Sequence, residues 1–313
     1  YNYGVVMGMK KCALVCNPNS GHNKKKPIIE KMIDVLKDYD YETEVYYTKY
    51  SGHAKKIIMS LKDDIDLVVS LGGDGTFNEV VTGNFKRPKK LLLSHIPLGT
   101  TNDLGAIFGL GKNPITNLKM ILEGTVKGID ICMINDQPFV YVAGLGKFTD
   151  VAYNTPRKLK KNFGYMAYMF NALKSFNQKT HLFEMSYEID GEVYTGLYSF
   201  ALVCNARRMA GINVFQDVKM DDGKFEVLFS NITAKKDIIK SLYYFKANGI
   251  KNVPGFYFFR TDNLKIRLKD YPKNNWCIDG EKLRDRSLTF DIKIVKGLEM
   301  LLPNKELKNI FIS

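Results

Sequence analysis

Two hydrophobic rhythms divide the chain. Up to about Val126, short apolar runs alternate with segments whose apolar residues recur every three or four positions. Lys10 to Asn17 reads as a first strand. Pro27 opens a helix to about Lys37 with Ile28, Ile29, Met32, Ile33 and Leu36 on its inner face. Thr43 to Thr48 reads as a second strand, His53 to Leu61 as a helix, Asp66 to Leu71 as a third strand, Phe77 to Val81 as the opening of a helix, and Leu91 to Pro97 as a fourth strand. Unbroken apolar strands suit a sheet covered on both faces, so the pattern predicts an α/β domain with a doubly wound parallel sheet over residues 10–130. Residues 1–9 read as a flexible lead-in.

Beyond Val126 the runs become β-branched, aromatic and separated by Gly, Asp and Asn turns. They are Phe139 to Val142, Phe183 to Ile189, Val193 to Cys204, Phe225 to Phe229, Phe256 to Thr261, Leu264 to Leu268 and Leu288 to Val295. This predicts a mostly antiparallel, β-rich second domain over residues 131–296. Two helices interrupt it, Phe163 to Phe176 and Ala234 to Asn248, the latter with Thr233 as N-cap and Gly249 past its end.

The first domain carries the sharper chemistry. In Ser70-Leu71-Gly72-Gly73-Asp74-Gly75-Thr76-Phe77-Asn78-Glu79 a buried strand turns on glycines, which leave backbone N–H groups uncovered, and then enters a helix. Such a loop suits an anion, most naturally a phosphate at the positive end of the helix. Asp74 is the unusual member. A carboxylate in a phosphate cradle repels its ligand unless a metal ion, a proton donor or a reacting hydroxyl intervenes, which points to phosphoryl transfer; the alternative is a helix cap. Turns at residues 17–21, 72–79 and 98–103 all fall at the carboxyl ends of strands, where ligands gather in such sheets. No G-x-x-x-x-G-K-[ST] motif is present, so backbone amides carry more of the phosphate holding.

Composition narrows the classes. The chain has 313 residues, 45% hydrophobic, enough for two cores. No run approaches the roughly 18 apolar residues of a membrane span, and Tyr1 to Lys11 lacks the apolar core of a signal peptide, so the expectation is a cytoplasmic protein. Five cysteines, Cys12, Cys16, Cys132, Cys204 and Cys277, read as reduced thiols. Neither a zinc cluster nor a G-x-S-x-G motif is visible. The net charge is +13, with 18 basic against 14 acidic residues over 1–131 and 28 against 19 over 132–313. A basic surface attracts nucleic acid, an anionic bilayer or a nucleotide, and charge does not choose among them.

The second domain offers three weaker signals. Ile189-Asp190-Gly191-Glu192 recurs as Ile278-Asp279-Gly280-Glu281. Asp-Gly between strands is first a hairpin turn, but the second copy sits between Trp276 and the cations Lys282 and Arg284, a setting that could equally hold functional carboxylates. Asp217 to Gly223 crowds carboxylates like a metal loop yet lacks a calcium-hand pattern; a turn is the simpler reading. Arg157 to Lys161, followed by the aromatic Asn162 to Phe170, suits an anionic membrane surface or, equally, a solvated charge run leading into a core helix.

Taken together, Asn17-Pro18-Asn19-Ser20-Gly21, Thr48 with Gly52-His53-Ala54, Gly72 to Glu79, Pro97-Leu98-Gly99-Thr100-Thr101-Asn102-Asp103, Asp222-Gly223 and Asp279-Gly280-Glu281 closely resemble, in order, the motifs of the diacylglycerol kinase catalytic-domain family, which includes bacterial lipid kinases and the sphingosine and ceramide kinases. The resemblance implies an ATP-binding α/β domain, a β-sandwich-like lipid domain, and chain-end residues from about 297 to 313 packing back on the first. It implies that Asn17, Pro18, Asn19, Ser20, Gly21, Thr48, Gly72, Gly73, Asp74, Gly75, Thr76, Phe77, Asn78, Glu79 and Thr100 hold the nucleotide. Asp222 would approach Mg²⁺ with the main-chain carbonyls of Lys219 and Lys224, Asp74 and Asp103 would join through water, and Asp279 or Glu281 would be the general base. The lysines flanking the metal aspartate depart from the family pattern; their side chains must swing away or neutralise phosphate.

The implied reaction is transfer of the γ-phosphoryl group of ATP to a primary hydroxyl of a membrane lipid, with diacylglycerol giving phosphatidic acid as the leading expectation and phosphatidylglycerol or a sphingoid base as other acceptors. Such an enzyme would work peripherally at the inner membrane face, without nucleic acid, with a homodimer as one arrangement and the oligomeric state not fixed by the sequence. The rivals are an NAD kinase, disfavoured by the Phe77-Asn78-Glu79 and Gly99 to Asp103 context, and a basic nucleic-acid-binding protein, for which no zinc finger or K/R-G-F motif is present.

Overall fold

The computed structural model describes residues 8–20, 25–99, 102–146, 181–209, 212–213, 215, 217–234, 236–237, 240–241, 244, 253–272, 275–283 and 285–312. Packing divides the chain into two units. The first comprises Tyr1–Gly99, Phe108–Lys127 and Glu299–Leu307, and the second Thr100–Ile107, Gly128–Leu298 and Lys308–Ser313.

The first unit is built from β1 (Lys10–Cys16), α1 (Lys25–Asp38), β2 (Tyr41–Tyr47), α2 (His53–Ser60), β3 (Leu67–Gly72), α3 (Asp74–Phe85) and β4 (Leu93–Pro97), joined after the short α4 (Asp103–Ile107) by α5 (Pro114–Leu122). Its strands are parallel in the order β2-β1-β3-β4, with Cys12 opposite Leu67 and Val68 opposite Leu93. Every residue of β3 and β4 is buried, as expected of strands covered on both faces, whereas β2 at the edge alternates. Met32 and Leu36 of α1 and Leu118 and Ile121 of α5 pack on Leu14, Leu67, Val69 and Ile96 of the sheet. Arg87 ties the C-terminal ends of two helices together. Its buried guanidinium donates to the carbonyls of Ile58 at 2.9 Å and Leu61 at 2.6 Å and pairs with Asp63, so a cation satisfies helix-end carbonyls.

The second unit takes up β5 (Thr125–Ile134) as that strand leaves the first, then β6 (Gln137–Phe139), β7 (Val142–Gly146), β8 (Phe183–Ile189), β9 (Glu192–Tyr198), β10 (Phe200–Cys204), β11 (Arg208–Met209), β12 (Ile212–Asn213), β13 (Phe225–Ser230), β14 (Phe256–Thr261), β15 (Asn263–Leu268), β16 (Cys277–Ile278), β17 (Glu281–Lys282) and the long β18 (Thr289–Leu302). Two antiparallel sheets, β9-β8-β15-β18 and β14-β13-β10-β7-β16-β17, enclose a core of Met185, Tyr187, Leu264, Ile266, Phe290, Leu145, Val203, Phe225, Phe229 and Trp276. β15 alternates exposed and buried residues along its length, as a strand with one covered face must. The end of β18, within the first unit, lies parallel to β4 with Met300 opposite Leu93, and Ser94 Oγ donates to the Leu301 carbonyl at 2.9 Å. A last short helix, α6, spans Leu307–Ile310.

The run expected as one strand from Val193 to Cys204 is two strands in different sheets. The chain breaks step at Ser199, whose N–H donates to the Ser230 carbonyl at 2.7 Å and whose buried hydroxyl donates to the same oxygen at 3.1 Å. The helix expected over Phe163 to Phe176 lies outside the described residues, as does most of the one over Ala234 to Asn248.

Candidate active site

In the first unit three turns converge. A Cβ on Gly73 would stand 3.3 Å from Gly99 Cα, so the loops after β3 and β4 approach closely and a larger residue at Gly73 would have to push its neighbour aside. The Leu98 N–H donates to the Gly72 carbonyl at 2.6 Å and joins them further. Asn17 completes the arrangement. Its N–H donates to the Leu71 carbonyl at 3.0 Å, its Nδ2 donates to Thr76 Oγ1 at 3.0 Å, and its Oδ1 accepts from the Asn19 N–H at 2.9 Å. Ser20 Oγ donates back to the Asn17 carbonyl at 3.1 Å, which rounds the turn. Thr48 is buried at the end of β2, its N–H on the Cys16 carbonyl at 2.9 Å.

Helix α3 starts on Gly73 in extended conformation with no side-chain cap, and Asp74 is its first residue. The half-buried Asp74 carboxylate therefore stands in the first turn of α3, at the positive end of the helix dipole. Glu79 has a different task. Its two carboxylate oxygens accept from the Gly52 N–H at 2.6 Å and the Ala54 N–H at 3.0 Å, so it caps α2 and fixes the segment that follows Thr48. Phe77 is buried against His95, ring centroids 4.9 Å apart, and Asn78 Oδ1 accepts from the Thr82 hydroxyl at 3.4 Å. Burial pushes the His95 imidazole down to about 3, so this ring under the loop is neutral at physiological pH. Gly21 and Thr100 lie outside the described residues.

The second unit gathers the remaining acids. Asp103, 1% exposed at the start of α4, pairs with Arg208 Nε at 3.1 Å. Asp222 closes a tight turn: its Oδ1 accepts from the Lys224 N–H at 2.9 Å, and its Oδ2 pairs with Arg260. Lys219 turns aside, its ammonium donating to the carbonyls of Lys308 at 3.3 Å and Asn309 at 3.0 Å, which leaves the Asp222 turn clear of that side chain. Asp279 is buried at 4% exposure. It accepts from the N–H groups of Val140 at 2.7 Å, Tyr141 at 3.1 Å and Val142 at 3.1 Å, which commits its carboxylate to holding the segment between β6 and β7. Glu281, two residues on, is exposed on β17.

A model of the diacylglycerol kinase catalytic domain matches residues 11–134. A diacylglycerol kinase of Staphylococcus carnosus is 31% identical over 221 residues, 70% of this chain and 72% of that one, and a diacylglycerol kinase of Staphylococcus haemolyticus is 33% identical over 223 residues, 70% of this chain and 67% of that one. The chain belongs to the diacylglycerol kinase family. Crystal structures of diacylglycerol kinase proteins from Bacillus anthracis str. Sterne match the fold with TM-scores of 0.78 and 0.75 over 94% of this chain, at 23% identity. Membership makes it an enzyme of the lipid kinase class.

A kinase of this family implies a nucleotide substrate. Among the described residues no three His, Cys, Asp or Glu side chains converge to hold a metal by themselves. Mg²⁺ does not require that; it keeps waters and takes one or two carboxylates plus phosphate oxygens. Asp222 is an acid of the kind a hard cation takes, and its negative charge raises the carboxyls of Asp130 and Glu226 alongside the larger effect of burial; its oxygens here face the Lys224 N–H and the Arg260 guanidinium.

Arg208, Arg260, Glu226 and Asp130 escaped the sequence reading. Asp130 Oδ2 accepts from the Gly223 N–H at 2.6 Å and so shapes the Asp222 turn from 92 residues upstream. Only Glu226 left a legible trace, as an acid inside the run Phe225 to Phe229 whose neighbours are all buried and apolar.

Proposed function

We propose that the chain transfers the γ-phosphoryl group of ATP to the primary hydroxyl of diacylglycerol, yielding phosphatidic acid. The observation that carries this is the junction of the Asn17, Gly73 and Gly99 turns at the start of α3 within a family member. That junction presents main-chain amides and the helix dipole to a triphosphate without a lysine-bearing phosphate loop. Thr48 and the Glu79-capped segment after it flank the nucleotide. Asp222 with the main-chain carbonyls of Lys219 and Lys224 would hold Mg²⁺, which would supply charge neutralisation of the phosphates.

Glu281 is the general base in this reading. A base must reach the acceptor hydroxyl and exchange a proton, and an exposed carboxylate can do so. Asp279, with three N–H donors on its oxygens, serves as the anchor that positions the hairpin bearing Glu281. Among the described residues no helix is long and apolar enough to cross a membrane, so we propose that the lipid is reached peripherally at the membrane surface. Arg157 to Lys161 and Asn162 to Phe170, the segment with the composition for it, lie outside the described residues.

The test is incubation of the protein with Mg²⁺, γ-labelled ATP and mixed micelles containing diacylglycerol, phosphatidylglycerol and sphingosine, with NAD in a parallel reaction. Label in phosphatidic acid is the expected result. Label in NAD, or bound ATP with no labelled lipid, overturns the proposal.

A further inference from the structure

A sheet edge exposes unpaired main-chain groups, and proteins blunt such edges with charge or brevity because a bare one pairs with other chains. Most edges of this chain follow the rule. β2 exposes Glu42 and Glu44, and β14 exposes Arg260. β6 has three residues and β17 two. β9 is the exception. It is seven residues long, pairs among the described residues with β8 alone, and has its one charged residue, Glu192, at its first position.

The side chains of β9 depart from those of its neighbour. Register sets Val193, Thr195 and Leu197 beside Glu188, Ser186 and Glu184 of β8, on the face turned away from the core. The Ser186 and Thr195 hydroxyls lie 3.0 Å apart on that face, and Lys265 at 3.2 Å and Lys269 at 2.7 Å pair with the two glutamates. A solvated face calls for such polar groups, yet Val193 is 68% exposed and Leu197 54%. On the core face Tyr194 stacks on Tyr187, ring centroids 5.3 Å apart, and is itself exposed.

The backbone is equally available. Ile189 and Glu192 close a two-residue hairpin, so Glu192, Tyr194, Gly196 and Tyr198 turn their N–H and C=O groups to β8, and Val193, Thr195 and Leu197 turn theirs outward. The Glu184 carbonyl agrees with this alternation: opposite Leu197, it accepts from the Lys269 N–H at 3.1 Å and so points away from β9. An antiparallel copy centred on Thr195 overlaps the whole strand and sets outward groups against outward groups. In that register Val193 meets the partner's Leu197, and Thr195 meets the partner's Thr195. Tyr194 meets the partner's Gly196, which has no side chain to obstruct a ring, and Tyr198 meets the partner's Glu192, a phenol beside a carboxylate. No like charges face each other.

We propose that β9 is a self-pairing edge through which two copies of this chain join antiparallel about a two-fold axis at Thr195, making one continuous sheet. The contact is isologous, so each favourable pair occurs twice. It covers Val193 and Leu197 of both copies and satisfies the main-chain groups that β9 turns outward.

The experiment combines sedimentation equilibrium of the full chain with cysteine cross-linking. Wild type is expected to be a dimer at micromolar concentration. Leu197→Lys is expected to weaken it about tenfold or more, since a lysine is placed twice against the partner's Val193. Val193→Glu/Leu197→Lys is expected to return affinity to within about threefold of wild type by pairing opposite charges across the axis. Thr195→Cys is expected to form an intermolecular disulfide under mild oxidant, because facing hydrogen-bonded residues have Cα atoms about 5.5 Å apart, and the five native cysteines are buried. Val193→Cys and Leu197→Cys are each expected to stay uncross-linked alone and to cross-link when mixed. A monomeric wild type, a dimer that Leu197→Lys leaves at wild-type affinity, a double variant no tighter than Leu197→Lys, or a Val193→Cys chain that cross-links to itself as readily as Thr195→Cys overturns the proposal.

Discussion

The chain builds the same four-residue turn twice and uses it in two ways. Ile189-Asp190-Gly191-Glu192 joins β8 to β9 and Ile278-Asp279-Gly280-Glu281 joins β16 to β17, each closed by an Ile–Glu pair. The backbone is nearly superimposable: φ is 53° at Asp190 and 82° at Gly191, against 46° at Asp279 and 86° at Gly280, the signature of a type I′ hairpin. The side chains have unlike surroundings. Asp190 is exposed and Glu192 takes the hydroxyl of its neighbour Tyr194, whereas Asp279 is buried beneath three main-chain donors and Glu281 is held out on a two-residue strand. Four residues decide the local shape; what surrounds them decides whether the carboxylates stay exposed or are buried as an anchor.

The strongest way to break that distinction is through the glutamates. Glu281→Gln removes the group assigned to proton transfer and is expected to lower kcat by roughly 10²–10⁴-fold. Its urea unfolding midpoint should stay at the wild-type value, because the side chain is exposed. Glu192→Gln should leave kcat within about twofold, since it lies on a hairpin to which no role in the chemistry is assigned. Equal losses at both copies, measured as lipid phosphorylation at saturating ATP, would show that the turn and not its setting carries the activity.

The aspartates separate on stability. Asp279→Asn exchanges a charged acceptor of three N–H groups for an amide with one oxygen, and its NH₂ is brought against donors; a cost of about 2–4 kcal/mol is expected. Asp190→Asn should fall within about 0.5 kcal/mol of wild type, because asparagine tolerates positive φ as well as aspartate does and the site is exposed. Urea midpoints with unchanged m-values measure both. A mild Asp279→Asn would remove the anchor role and return that residue to the candidates for the base.

The local pattern of the two copies is the same, so only their flanks and the family resemblance single out the second, and the reason is physical. Period, glycine placement and turn chemistry are local, so the parallel sheet, the loop before α3 and both hairpins were legible residue by residue. The donors on Asp279 come from residues 140–142, and the cation on Asp222 comes from Arg260, so both depend on strand register that no local pattern announces. The same limit hid the break at Ser199, where an unbroken apolar run conceals a change of sheet, and the pairing of Asp103 with Arg208. Glu79 shows the converse. Its place in the glycine-loop motif is plain from sequence, yet its two N–H partners lie at the start of α2, and it acts by holding that helix in place.

The smallest expected effect tests whether the two turns are equivalent at all. Gly191 and Gly280 both have positive φ, and a Cβ at either position would meet nothing within 4 Å, so Gly→Ala at each introduces backbone strain without collision. The left-handed region costs an L-residue roughly 1–2 kcal/mol, and that cost should be the same in both copies to within about 0.5 kcal/mol. The turnover consequences should differ: Gly191→Ala is expected to be silent, whereas Gly280→Ala loosens the hairpin that carries Glu281 and should lower kcat several-fold, well short of Glu281→Gln. Matched losses of stability with unmatched losses of turnover would show one backbone device serving two chemical settings. A Gly280→Ala that loses stability like Gly191→Ala and keeps full turnover would mean that the position of Glu281 does not depend on its turn, and the base would then have to be sought elsewhere in the second unit.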